Sequence, residues 1–132
     1  MAHTANLGLL LPDQGDLDGT WGTSINNSIT ALIEQAVAGY VEISAWSGNA
    51  ATLSITDGSV SDGRNMMIKL STGTGGTALT GAGTLNVGTE TKLYQVENNS
   101  NQIITFKTSG GSGVAIPVGE TALLYCEGTT YS

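Results

Sequence analysis

The hydrophobic period of the chain changes once, at Gly39–Tyr40, and that change decides what it can fold into. Ahead of it, Ile25, Ile29, Leu32, Ile33, Ala36 and Val37 recur every three or four residues. This spacing places them on one face of an α-helix. Beyond it the period falls to two. Val41, Ile43 and Ala45 alternate with Glu42 and Ser44, and Leu53 and Ile55 alternate with Thr52, Ser54 and Thr56. Strand side chains point alternately to the two faces of a sheet, so this is the pattern of strands with one face in a core.

The spacing predicts a helix over about 23–38. Thr20 or Thr23 can cap it, because a hydroxyl accepts a bond from an orphan N–H of the first turn. Gly39 sits where a left-handed residue would end it. Strands are predicted over 40–46, 51–57, 65–71, 84–90, 92–98, 102–108, 114–118 and 121–128, with a turn at 98–101. Asp57-Gly58 and Asp62-Gly63 are turn dipeptides, and the glycine-rich run 71–83 reads as irregular. Turns every eight to twelve residues or so imply a mainly β fold, an antiparallel β-sandwich or barrel. Residues 1–10 read as an extended apolar arm, and 12–19 have turn chemistry throughout. The organisation is therefore an arm and helix over 1–39 and a β domain over 40–132, in one structural unit. No internal repeat is apparent.

Composition narrows the function. A chain of 132 residues makes one domain and can bury a core without metals or disulfides. Charged residues are 11%, against about 25% in ordinary domains. Net charge is −7, and the basic residues Arg64, Lys69, Lys92 and Lys107 are scattered. Nucleic acid and anionic membranes both require a basic patch, so neither is an expected partner. No apolar run approaches the roughly 18 residues of a membrane span, and the start has no basic segment of the kind a secretory signal carries. Cys126 is the one cysteine, which fits synthesis in a reducing cytoplasm.

Catalytic constellations are not evident. His3 and Cys126 have no relay partner in the sequence, and a cysteine in a strand pattern is expected to serve as a small buried hydrophobe. Glu120 and Glu127 read as solvated. Asp13, Asp16 and Asp18 share a loop, but the spacing misses an EF-hand, and Asp16 and Asp18 are expected to favour the helix start. The loops 73–76 and 109–113 lack the Lys-Ser/Thr of a phosphate loop. No metal or cofactor is expected. Trp46, beside Ser47-Gly48-Asn49, is the one candidate carbohydrate platform, and a core position is expected for it instead. Trp21, just ahead of the helical face, reads as an anchor that fixes how the chain enters the helix.

Leu11-Pro12, Gly15-Asp16, Gly19-Thr20-Trp21-Gly22, Asn26 and Ala36–Gly39, followed by Pro117, Gly119, Thr121-Ala122-Leu123, Tyr125-Cys126 and Gly128, form an order that resembles small virion structural proteins of tailed bacteriophages. The resemblance implies a non-enzymatic particle component, made in the host cytoplasm and located in the virion. A short chain suits a capsid decoration or cement protein; the alternative is a tail, neck or fibre-associated adaptor, with host-surface binding as a further role. The partners implied are the major capsid protein or another virion subunit, and copies of the chain itself as a homotrimer or dimer. The contact residues expected are Leu7, Leu9, Leu10 and Leu11 of the arm, with Trp21 and Ile25. On this picture, removing residues 2–11 would leave a folded β domain that no longer binds particles.

Overall fold

The computed structural model describes residues 1–72 and 78–126. The centre of the glycine-rich run and the end of the last predicted strand lie outside the described residues. The helix is present and starts earlier than the spacing suggested: α1 (Trp21–Ile25) passes through a π-helical stretch (Asn26–Thr30) into α2 (Ala31–Ala38). Thr20 holds the N-cap position without a side-chain capping bond. Thr23 lies inside α1. Gly39 is extended rather than left-handed, at φ −71° and ψ 145°. A glycine is needed there for a different reason: a Cβ would collide with the Gln35 carbonyl oxygen and Asn65 Oδ1.

Residues 1–10 are not a free arm. β1 (Ala2–His3) and β2 (Leu10–Leu11) pair antiparallel, and the intervening turn is closed by bonds from the Leu9 and Gly8 amides to Thr4. The remaining strands are β3 (Tyr40–Ile43), β4 (Ala50–Thr52), β5 (Met67–Ser71), β6 (Gly83–Val87), β7 (Leu93–Asn99), β8 (Ile104–Thr108), β9 (Gly113–Ile116) and β10 (Thr121–Tyr125). Among the described residues they form two four-stranded sheets, ordered β10-β7-β5-β3 and β4-β6-β8-β9.

The mainly β class holds, but the sheets are mixed rather than antiparallel. From β3 to β8 the chain changes sheet at every connection, so β3, β5 and β7 run parallel, as do β4, β6 and β8. Only β9 and β10 run back, each antiparallel to the last strand of its sheet. Both sheets are open, with β3 and β10 as the edges of one and β4 and β9 as the edges of the other. They share one core, in which Ile68, Leu70 and Val96 of one sheet meet Leu85, Ile104 and Ile116 of the other. Burying each such side chain contributes about 1.5–3 kcal/mol. The Tyr94 and Phe106 rings, 5.3 Å apart between centroids, make contact between the two sheets.

Three polar side chains buried in the body hold the connections. Asn98 is fully buried; its amide donates to the Gln102 and Ile116 carbonyls at 2.9 and 2.7 Å, and its Oδ1 accepts from the Ser100 amide and hydroxyl. It thereby fixes the crossing from β7 to β8. Arg64, also fully buried, ends a short 3-10 turn (Asp62–Arg64). Its Nε donates to the Leu7 carbonyl at 2.8 Å and its Nη2 to the Thr56 carbonyl at 2.6 Å. Its Nη1 reaches Gln35 Oε1 at 3.3 Å, Ser61 Oγ at 3.2 Å and the Ser59 carbonyl. One guanidinium thus joins the N-terminal hairpin, the helix and the 56–61 loop. Burial lowers its hold on its proton, and the Asp57 carboxylate opposes that.

Lys92 lies nearby. Its ammonium donates to the Asn65 and Leu93 carbonyls, both at 3.1 Å, and sits 4.0 Å over the Tyr94 ring. Burial, and then the charge of Arg64, push its pKa down to about 8.

Two predictions follow from these buried cations. Arg64→Met takes the guanidinium donors from the Leu7, Ser59 and Thr56 carbonyls, the last keeping only a long bond from the Ser59 amide, so urea unfolding should show a loss of about 3 kcal/mol or more. For Lys92 the folded pKa lies below the unfolded one, so between pH 8 and 10.5 the unfolded chain binds more protons than the folded one. Stability must therefore rise with pH across that window. The urea midpoint should climb from pH 7.5 toward pH 10 in the wild type, and Lys92→Met should remove that climb.

Candidate functional site

The helix carries more apolar surface than the body can cover. Trp21, Ile25, Ile29, Ile33 and Val37 recur at every fourth position along it, and residues four apart lie on adjoining turns of one helix face. Leu32 is fully buried beneath the helix, and Ile25 and Ile29 are half-buried. Trp21, Ile33 and Val37 stay in solvent, at 67%, 44% and 72% exposure. Glu34 is the only charged residue from Trp21 to Ala38. Beyond the helix Tyr40 is 56% exposed, and it lines a shallow groove with Ala31, Glu34 and Ala38.

The helix is held rigidly. Ser28, in the π-helical stretch, donates to the Gly58 carbonyl at 3.0 Å, and the Gln35 amide donates to the Ser61 carbonyl at 2.9 Å. Gln35 Oε1 in turn takes the Arg64 bond already described. The apolar ridge is therefore a fixed surface, and such surfaces mark contact sites.

The contact residues expected from sequence separate into two groups. Leu10 is buried and Leu7 and Leu9 are half-buried, all within the folded hairpin; only Leu11 of the four is exposed, at 47%. Leu7 also supplies the carbonyl that Arg64 grips, so removing residues 2–11 strips a buried cation of a partner. Trp21 is open to solvent and Ile25 is half-buried beside it. Ile33 and Val37 complete the ridge and were not singled out from sequence as contact residues. A signal for them existed: seven apolar residues from Ile25 through Val37 make a stripe wider than one helix face normally buries.

Other chemical candidates resolve as structure. Cys126 is fully buried in the core. Trp46 is 5% exposed and its indole N–H donates to the Ser71 carbonyl at 2.9 Å, so it offers no carbohydrate platform. His3 Nδ1 stands 3.9 Å from Asp57 Oδ2, against the hairpin. Asp16 Oδ2 accepts from the Asp13 amide at 3.0 Å within their own loop, and no acidic residue lies in the first turn of α1. Among the described residues no group of three or more His, Cys, Asp or Glu is placed to hold a metal, and no helix is long and apolar enough to cross a membrane. An open cleft of about 530 Å³ lies at the β3 and β4 edges, lined by Glu42, Ile43, Trp46, Ala51 and Asp62 among others. Glu42 accepts a bond there from the Ser71 hydroxyl at 2.5 Å.

Comparison with family models, with curated proteins and with solved structures finds no match.

Because Trp21 and Val37 touch little of their own chain, replacing them should leave the fold intact. Trp21→Ala and Val37→Ser should each shift the unfolding free energy by about 0.5 kcal/mol or less. A larger loss in a urea titration would mean that the ridge is part of the core.

Proposed function

We propose that the protein is a non-enzymatic virion structural protein of a tailed bacteriophage, which decorates or cements the capsid through the apolar ridge of its helix. The observation that carries this reading is the rigid, almost uncharged ridge of Trp21, Ile33 and Val37 left in solvent. Leu11 of the hairpin is exposed as well. The segment that resembles phage virion proteins, Gly19-Thr20-Trp21-Gly22, leads into and begins this helix, with Gly19 at φ +74° before it. Covering one such side chain gains on the order of 2 kcal/mol, so a few suffice for a contact repeated over a shell. The partner is the major capsid protein or another virion subunit, and the chain is present in many self-associating copies. It is made in the host cytoplasm and resides in the particle. No cofactor enters this role.

A second reading, a tail, neck or fibre-associated adaptor, is favoured by the unpaired β3 and β4 edges beside the open cleft. Strands of an adjoining module could extend both sheets there.

Quantitative mass spectrometry of purified particles tests these readings. A copy number comparable to that of the major capsid protein is expected. A handful of copies would favour the adaptor, and absence from particles would overturn the virion reading. In a rebinding assay on particles lacking the protein, Val37→Asp should weaken attachment at least tenfold or so, since a buried unpaired charge is costly. Undiminished attachment would remove the ridge from the contact.

A further inference from the structure

We propose that the outer face of the β10-β7-β5-β3 sheet binds the same face of a second copy of the chain, about a two-fold axis parallel to the strands. The proposal deepens the many-copy reading above, and rests on it for its biological sense, but its chemistry stands on a separate surface. Strand register lays out that surface in rows. One row is Leu123, Gln95, Met67 and Tyr40, and beside it on one side Tyr125 pairs with Leu93. On the other side the row is Thr121, Glu97, Lys69 and Glu42.

Four of the five apolar members of these rows are open to solvent, Leu123 at 64%, Tyr40 at 56%, Tyr125 at 52% and Leu93 at 43%, and Met67 is half-buried. A shallow groove crosses the face between Tyr40, Met67, Lys69 and Glu97. The other sheet differs. Its outward positions are Thr84, Asn86, Thr105, Lys107 and Ala115, a polar surface suited to water. One sheet is thus built for solvent on its outside and the other is built for a partner.

Charge and register select the partner. At net charge −7 two copies repel each other over most of their surfaces. On this face Lys69 stands between Glu97 and Glu42, so register can set opposite charges against each other. An axis midway between β7 and β5 lays β7 of one copy over β5 of the other, and β10 over β3. Glu97 then faces Lys69 of the second copy, and Lys69 faces its Glu97. Leu123 faces Tyr40, Gln95 faces Met67, and Glu42 faces Thr121. No like charges are opposed. Among the described residues the one ion pair within 4.0 Å is His3–Asp57, so Lys69 is not committed to the glutamates that flank it in its own sheet. Aligned sheets stack about 10 Å apart with strands within about 30° of each other. A four-stranded face of this length covers on the order of 600 Å² per copy, which reaches the lower end of stable interfaces.

Sedimentation of the purified full chain, without particles, tests the proposal over about 1 μM to 1 mM, the range in which an interface of this size is read. A concentration-dependent dimer is expected. Leu123→Lys should shift it to monomer with an unchanged circular dichroism spectrum, because Leu123 touches little of its own chain, and its Tm should match that of the wild type diluted to monomer. Lys69→Glu should weaken the dimer at least tenfold or so, and Lys69→Glu combined with Glu97→Lys should restore it. A monomer throughout, a trimer, a dimer indifferent to Leu123→Lys, or a double reversal that fails to restore association would each overturn the proposal. Particle attachment is read separately: its loss with an intact dimer sinks the ridge reading alone, and an absent dimer with intact attachment sinks this one alone.

Discussion

A single buried guanidinium holds the N-terminal third of this protein on its β body. Arg64 has no exposed surface and spreads its donors over Leu7, Gln35, Thr56, Ser59 and Ser61. Arginine suits the position because its planar fork presents five donors in fixed directions, whereas a lysine ammonium is a compact point charge. The surroundings are shaped to admit it. Gly8 adopts φ +63°, and a Cβ there would press on Asp57 and on Arg64 itself. The Gly58 amide closes on the Gly8 carbonyl at 2.8 Å. Buried charges are costly unless every donor finds a partner, so the hairpin, helix and loop are held to one arrangement.

The exposed ridge depends on that arrangement. A free amphipathic helix of this length is marginal in water and would turn its apolar side inward wherever it could. Gln35 and Ser28 tie this helix to the 58–61 loop, and Arg64 ties the loop to the hairpin. Leu32 is therefore buried, and Trp21, Ile33 and Val37 have no surface of their own chain to cover them. The same logic applies to the β body. Alternation puts Tyr94, Val96 and Asn98 inside and Leu93, Gln95 and Glu97 outside on β7, so its outward row combines apolar and charged groups.

Much of the fold was legible in the sequence. The change of period at Gly39 located the helix and the first strand, and 92–98 was read as a strand, as β7 is. The pairing was not legible, because alternation reports which face a residue takes and says nothing about which strand lies beside it. Tyr40, Met67 and Gln95 stack at nearly even intervals, but they share no residue type. Ala50, Thr84 and Thr105 stack at uneven intervals. Neither row looks like a repeat. Arg64 was hidden for another reason: an arginine beside a turn dipeptide reads as solvated until the tertiary fold closes over it. The leucines of residues 7–11 looked like an arm because a two-residue hairpin strand is too short to show alternation. At the site, Trp21 stood out by size, whereas Ile33 and Val37 were absorbed into the helical pattern that they overfill.

The most direct test of the account is amide hydrogen exchange of the wild-type chain, resolved by residue. If Arg64 welds the N-terminal segment to the body, the Gly8, Leu9 and Gly58 amides, which bond to Thr4 and Gly8, should be protected alongside the amides of β5 and β7. Rapid exchange across residues 2–11 with β5 and β7 still protected would show a free arm and contradict the account.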